Sequence, residues 1–377
     1  GAGAGGPRST HCDAAAPPAP WRGGGVLADR HAGSVLLVGN FLSAPGGARC
    51  VCEDLADHLA AEGWQVRRTS ARISRPLRLC EMVATAWRQR DGYGVAAVDL
   101  YSGSAFLWAE AVCEVLARAG KPFVLTLHGG NLPAFARRWP RRVRRLLGAA
   151  ASVTAPSGYL REQMLPYRGD IVMIPNAIDL AAYPYHFRPR VSPRLVWLRA
   201  FHEIYNPTLA PRVLALLAAE FPGVELTMIG RDKGDGSFAA TRQLAARLGV
   251  AHRLHLPGGV AKAQVPAQLQ RGDIFLNTAR IDNTPVSVLE AMACGLPVVS
   301  TNVGGIPYLL TPGRTGLLTA PDNAGAMAAA IRALLRNPAL AAGLSAAGRD
   351  LAAACGWSRV LPQWQQLLHG LRRRPSL

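Results

Sequence analysis

The 377-residue sequence predicts an α/β protein made of two parallel-sheet domains that face each other across a cleft. Three observations carry that reading. The chain is longer than one hydrophobic core comfortably fills, so two units of roughly 150 to 180 residues each are expected. Strand-sized apolar runs alternate with helical stretches almost from end to end, the pattern of parallel sheets whose crossovers are helices. Between the two series lies "AAYPYHFRPRVSPR" (181 to 194), rich in Pro and Arg and without a period, which marks the boundary.

Residues 1 to 30 are rich in Gly, Ala and Pro and lack the apolar core of a secretory signal, so they read as a disordered leader. The first domain, 31 to 188, has strands expected at 34 to 39 (SVLLVG), 64 to 69, 94 to 100 (GVAAVDL), 123 to 128 (FVLTLH), 152 to 155 and 171 to 174. The second, 189 to 355, has strands expected at 194 to 200 (RLVWLRA), 224 to 229 (VELTMI), 253 to 256, 273 to 277 (DIFLN) and 297 to 301 (PVVST). Residues 356 to 377 read as a helix returning toward the first domain. No apolar run approaches the roughly 18 residues of a spanning helix.

The net charge of +18, from 42 basic and 24 acidic residues, favours anionic partners: phosphates, nucleic acid or an acidic membrane surface. All but three of the basic residues are Arg. Seven cysteines (Cys12, Cys50, Cys52, Cys80, Cys113, Cys294 and Cys355) are odd in number and scattered, which suits a reducing compartment. Only Cys50 and Cys52 form a doublet, and it lies in a helical stretch; no His or Asp cluster suggests a metal.

In parallel sheets ligands sit beyond the carboxyl ends of the strands. Four such loops carry unusual residues: "GNFLSAPGG" (39 to 47), "HGG" (128 to 130), "GRDKGDG" (230 to 236) and "ARIDNTP" (279 to 285). The last leads into "DNTPVSVLEAMACGLPVVSTNVGG" (282 to 305). Thr284 reads as an N-cap, Pro285 as the first helical residue and Gly295 as the stop, giving a short helix over 285 to 294. Asp282 then precedes the helix and Glu290 lies about 7 to 8 Å further along its axis. Between them, unpaired amides and the positive helix end suit a phosphate or diphosphate, while carboxylates suit hydroxyls. A ligand with hydroxyls at both ends and a diphosphate between is a nucleotide sugar. A capped surface helix with a solvated Glu290 is the plainer alternative.

Residues 282 to 316 resemble the signature region of glycosyltransferase family 4, retaining enzymes of GT-B fold, in which a pair of glutamates eight apart leads into "EAMACGLPVVST" and "VGGIP". "PGGARCVCEDLADHLAAEGWQV", "VLTLHGG", "SVTAPSGYLREQM" and "IPNAID" extend the likeness over most of 34 to 355. The resemblance implies a GT-B architecture of two Rossmann-like domains, the second binding the nucleotide sugar. It implies that Glu290 holds the ribose hydroxyls and that Asp282, standing where the family has its first glutamate, contacts the donor sugar. Asn283, Thr284, Pro285 and Val286 match the loop whose amides approach sugar and phosphate. Arg199 matches an arginine on the diphosphate; the family's lysine about six residues later is absent, Tyr205 or Asn206 standing there, and Lys233 is the candidate replacement, with a solvated loop tip as its alternative. His128 matches the cleft histidine near the donor sugar. Gly46 and Gly47 match the first glycine loop.

The implied reaction is retaining transfer from a nucleotide sugar, UDP-linked first and GDP-linked second, to a saccharide or lipid-linked acceptor, in cell-surface polysaccharide or glycolipid synthesis. The leaving diphosphate would take the acceptor proton, without metal or other cofactor, helped by Arg199, His128 and Asp282. Two other readings stay open. A nucleotide-sugar epimerase of the same shape would release an isomerised nucleotide sugar rather than a glycoside, and a degenerate subunit would bind without turnover. A dinucleotide oxidoreductase lacks its G-x-G-x-x-G.

"PAFARRWPRRVRRLLG" (133 to 148) sets Arg137, Arg138, Arg141, Arg142, Arg144 and Arg145 beside Phe135, Trp139, Val143 and Leu146. At helical spacing this predicts one basic amphipathic element, with Trp139 among its apolar contacts, for an anionic bilayer. An ordinary domain helix with solvated arginines is the alternative. No nucleic-acid motif accompanies the charge. A cytoplasmic protein, peripheral on the inner face of the plasma membrane, is the expected setting.

Overall fold

The computed structural model describes residues 33 to 43 and 50 to 372. The leader expected over 1 to 30, and Gly46 and Gly47, lie outside them. The first half runs β1 (Ser34–Val38), α1 (Val51–Ala61), β2 (Gln65–Thr69), α2 (Arg75–Arg88), β3 (Val95–Leu100), α3 (Ser104–Arg118) and β4 (Phe123–Leu127). It continues with α4 (Leu132–Arg138), α5 (Pro140–Ala149), β5 (Ser152–Ala155), α6 (Gly158–Met164) and β6 (Val172–Met173). The second half runs β7 (Arg194–Leu198), α7 (Leu209–Ala218), β8 (Glu225–Ile229), α8 (Ser237–Arg247), β9 (Leu254–Gly258), α9 (Val265–Leu269), β10 (Ile274–Asn277) and α10 (Val286–Ala293). After it come β11 (Val298–Thr301), α11 (Ile306–Leu309), β12 (Leu317–Thr319), α12 (Ala324–Arg336), α13 (Pro338–Ala354) and α14 (Trp357–Arg372).

The twelve strands form two six-stranded sheets, ordered β2-β1-β3-β4-β5-β6 and β12-β11-β10-β7-β8-β9. Every pairing is parallel, so each sheet is buried on both faces and its strands read as continuous apolar runs. In the first sheet Leu36, Val98 and Leu125 point into a core shared with α2, α3 and α5, while Val35, Leu37 and Val124 point into another shared with α1 and α14. The second sheet is likewise covered on both faces. The expected α/β architecture with two parallel sheets is the one observed. The edge strand β12 was not expected; at three residues beside Gly316 it is too short to leave a pattern.

In the second sheet the strand order reverses between β7 and β10, and the loops leaving their carboxyl ends are the ones that carry Arg199 and Asp282. Trp357, Val360, Leu361, Trp364, Leu368 and Leu371 recur at helical spacing along α14 and pack with Leu55 and Leu59 of α1 and Val35 and Leu37 of β1. The chain thus crosses between the halves twice. The crossings are bonded together: the Ile178 amide donates to the Cys355 carbonyl (3.0 Å), and the Trp357 amide to the Ile178 carbonyl (3.3 Å).

Candidate active site

The loop between β10 and α10 is shaped by two glycines from a later segment. A Cβ on Gly304 (φ +51°) would stand 2.1 Å from the Asp282 carbonyl oxygen, and one on Gly305 2.1 Å from that of Asn283. Only glycine lets these backbones approach so closely, and the Gly305 amide uses the approach to donate to the Asp282 carbonyl at 3.1 Å. Asp282 is thereby fixed with its carboxylate on Arg199, which leaves β7 across the switch point. Arg199 Nη2 donates to Asp282 Oδ2, and the Asn283 amide donates to Oδ1 at 2.9 Å. Burial alone would lower the affinity of Arg199 for its proton, but Asp282, with Tyr205 and Glu290 behind it, more than offsets that and holds the guanidinium above its ordinary value. Its Cζ lies 4.7 Å from the centroid of the Tyr205 ring, and its buried Nε has no partner among the described residues.

Helix α10 starts one residue later than the sequence suggests. Pro285, in extended conformation, is the N-cap, and no side chain caps the helix. Thr284 does not cap it; its hydroxyl donates to the Pro156 carbonyl in the first half, at 3.4 Å. Pro285 keeps its fixed φ but takes a ψ of 115°, outside the helical range, so the cap falls one residue past Thr284. Every residue from Ser287 to Ala293 is buried, Glu290 at 4% exposure. Glu290 is therefore no solvated surface group. Its Oε1 accepts from the Tyr183 hydroxyl (2.7 Å) and from Lys262 Nζ. Burial first, then Glu290, pushes the Tyr183 phenol well up, so it stays a donor.

His128 follows β4, buried at 9% exposure, with its amide on the Leu100 carbonyl at 2.8 Å. Its Nε2 lies 3.0 Å from Asp99 Oδ1, and Tyr101 stacks on the ring at 4.9 Å. Gly129 (φ +81°) turns the chain, and a Cβ on Gly130 would meet Ile281 Cγ2 at 2.9 Å and the Asp282 carbonyl at 3.3 Å. The histidine loop thus touches the Asp282 loop across the two halves. Ser157 Oγ donates to Asn283 Oδ1, and Asn176 Nδ2 to the Thr284 carbonyl at 3.2 Å. His128, Arg199, Asp282, Asn283 and Thr284 are assembled where the halves meet.

The sequence model described as Glycosyltransferase Family 4 matches residues 67 to 182, and that described as Glycosyl transferases group 1 matches residues 192 to 337. The chain belongs to the family 4, group 1 glycosyltransferases. A D-inositol 3-phosphate glycosyltransferase of Pseudarthrobacter chlorophenolicus is 28% identical over 71% of this chain and 66% of its own length. A GDP-mannose-dependent alpha-(1-6)-phosphatidylinositol monomannoside mannosyltransferase of Mycolicibacterium smegmatis is 29% identical over 43% of this chain and 41% of its own. The chain thus spans slightly under two thirds of the first relative and less than half of the second. Among solved structures, sucrose-phosphate synthase from Thermosynechococcus elongatus superposes with a TM-score of 0.75 at 20% identity, over 90% of this chain and 99% of that one. Anabaena HepE in complex with UDP and glucose gives 0.73 at 18%, over 90% and 100%. The fold is GT-B.

In this family member Lys233 is exposed on the loop after β8, with no side-chain partner among the described residues. Its amide donates to the Phe201 carbonyl at 3.2 Å, which holds the loop beside the segment that carries Arg199. Sequence reasoning missed Lys262 and Tyr183. Lys262 is one of only three lysines, and that scarcity was the one signal available.

The basic stretch is not one amphipathic helix. Pro140 opens α5 and forces Trp139 out of helical conformation (φ −129°, ψ 55°), ending α4 at Arg138. Val143, Leu146 and Leu147 enter the first-sheet core, whereas Trp139 is 46% exposed, so the apolar residues do not share one side. Arg142 is bonded to Glu110 through two nitrogens, Arg145 lies 3.9 Å from the same carboxylate and Arg144 lies over Tyr167. Arg137, Arg138 and Arg141 remain exposed around Trp139. Among the described residues no helix is long and apolar enough to cross a membrane, and no group of three His, Cys, Asp or Glu could hold a metal.

Proposed function

We propose that the protein is a retaining, metal-independent glycosyltransferase that moves a sugar from a nucleotide-sugar donor to a hydroxyl of a saccharide or lipid-linked acceptor, in cell-surface polysaccharide or glycolipid synthesis. The observation that carries this is the Arg199–Asp282 pair at the switch point of the second sheet, in contact with the histidine loop of the first half. The unpartnered Nε of Arg199 is a buried donor for the leaving diphosphate, and Lys233 adds a second cation from the neighbouring loop. Glu290 takes a ribose hydroxyl, and His128 faces the donor sugar. Charge that develops on the diphosphate as the anomeric bond breaks is met by these groups, and the diphosphate oxygen takes the acceptor proton on the same face. A UDP-sugar is the first donor to try, since HepE was solved with UDP and glucose; a GDP-sugar is the second, since the M. smegmatis relative is GDP-mannose-dependent.

Incubation with UDP- and GDP-sugars, with product analysis, tests the reading. Free nucleotide diphosphate and a glycoside of unchanged anomeric configuration, formed equally in EDTA, are expected. An isomerised nucleotide sugar, or strict dependence on added Mg²⁺ or Mn²⁺, would overturn it. For location, Trp139 with Arg137, Arg138 and Arg141 supports docking on an anionic leaflet at the inner face of the plasma membrane, each arginine adding about 1 kcal/mol near the surface. Cosedimentation with anionic vesicles should weaken in salt and fall when those three arginines become Gln; unchanged binding by that variant would refute docking there.

A further inference from the structure

Glu290 is held by two groups that converge from different parts of the chain. Tyr183, 2% exposed, sits in the segment linking the halves, and Lys262 sits on the turn after β9 with its side chain 45% exposed. Both donate to the same oxygen, Oε1, and the Lys262 ammonium lies 6.0 Å from the Tyr183 ring centroid. A carboxylate oxygen has two lone pairs, so Tyr183 and Lys262 fill Oε1. No donor of the described residues reaches Oε2. An unconstrained carboxylate grips a vicinal diol with both oxygens. Here only one oxygen is left, and the ammonium beside it keeps two further N–H groups on the half-exposed side.

We propose that Lys262 and Tyr183 are positioning residues that lock Glu290 for a single ribose hydroxyl, and that they set the preference of the site for ribonucleotides over deoxyribonucleotides. The proposal rests on the reading of Glu290 as the ribose-binding residue. Tyr183 fixes the carboxylate from the buried side. Lys262 fixes it from the open side, neutralises it, and presents an N–H to the oxygen of the hydroxyl that Oε2 accepts. The pair therefore acts on one hydroxyl and is indifferent to the base and the transferred sugar.

The test is calorimetric binding of UDP or GDP, whichever binds the wild type, against the 2′-deoxy and 3′-deoxy forms. Wild type should lose about 10- to 100-fold in affinity when one of the two hydroxyls is removed, the worth of one hydrogen bond to a charged group, and much less for the other. Lys262→Met and Tyr183→Phe should each weaken the ribonucleotide while leaving the sensitive deoxy form nearly unchanged, so that discrimination shrinks to a few-fold, and Lys262→Arg should restore it. A merely structural fault would weaken ribo and deoxy forms alike. Lys262→Met removes only a half-exposed ammonium, so it serves even if the buried Tyr183→Phe does not fold. Full discrimination retained by Lys262→Met overturns the inference while leaving Glu290 at the ribose. No discrimination in a wild type that binds nucleotide removes Glu290 from the ribose and the inference with it, and absence of any nucleotide binding defeats the donor reading as a whole.

Discussion

Asp282 stands where a longer carboxylate was expected, and its surroundings explain why a short one fits. Its two oxygens are bound by Arg199 and by the amide of the next residue, and Gly304 presses against its carbonyl, so the carboxyl group sits close to its own backbone. The side chains are 9% and 18% exposed, so removing the carboxylate would leave the guanidinium buried and uncompensated. Breaking such a pair from one side costs about 3 to 5 kcal/mol. Asp282→Ala should therefore lower the unfolding temperature by several degrees and abolish transfer. Asp282→Asn, which keeps an acceptor for the Asn283 amide, should fall between. Calorimetric melts and donor turnover on the two variants check this order, and a wild-type melt for Asp282→Ala would mean that the pair does not form in solution.

At the scale of elements, the loop before α10 depends on two glycines well downstream, Gly304 against Asp282 and Gly305 against Asn283. A methyl on Gly304 would overlap the Asp282 carbonyl and would also strain a left-handed backbone. Gly304→Ala should cost about 1 to 3 kcal/mol and impair donor binding more than it lowers the melt, because the displaced segment is the one that carries Asp282 and Asn283. Titration of nucleotide into that variant decides it; unaltered affinity would show that the loop tolerates the shift. Eleven of the twelve strands were legible in the sequence, since continuous apolar runs are local signals, and the three-residue β12 was too short to leave one. The basic stretch departs from the single helix its spacing of Phe135, Trp139, Val143 and Leu146 predicts because Pro140 prevails locally and breaks it at Trp139. Lys262 and Tyr183 were invisible for a different reason: they lie 28 and 107 positions from Glu290, and only the packing of the turn after β9 and of the linker against α10 brings them to it.

For the whole molecule, the side-chain hydrogen bonds across the cleft among the described residues are few, the kind of interface at which relative motion of the halves is the default. Besides the two bonded crossings at Ile178 and Cys355, described residues of the two halves meet through Ser157 on Asn283, Asn176 on the Thr284 carbonyl, the Thr284 hydroxyl on the Pro156 carbonyl, the Gly130 turn against Ile281 and Asp282, and the Tyr308 hydroxyl on Glu162 Oε2 at 2.6 Å. Tyr308 is 46% exposed and Glu162 lies at the surface, so this last bond can be removed without disturbing either core. Each such bond contributes about 0.5 to 1.5 kcal/mol, and losing two would shift the ratio of closed to open molecules by roughly 5- to 150-fold. The double variant Asn176→Ala, Tyr308→Phe should therefore show a larger radius of gyration than wild type by small-angle scattering when nucleotide-free, and a similar one once donor is bound. Its donor KM should rise because binding must now provide the closure, while kcat, set in the closed state, changes little. Superimposable scattering from the two nucleotide-free proteins would show that the crossings alone, and not the bonds over the cleft, fix how the halves stand.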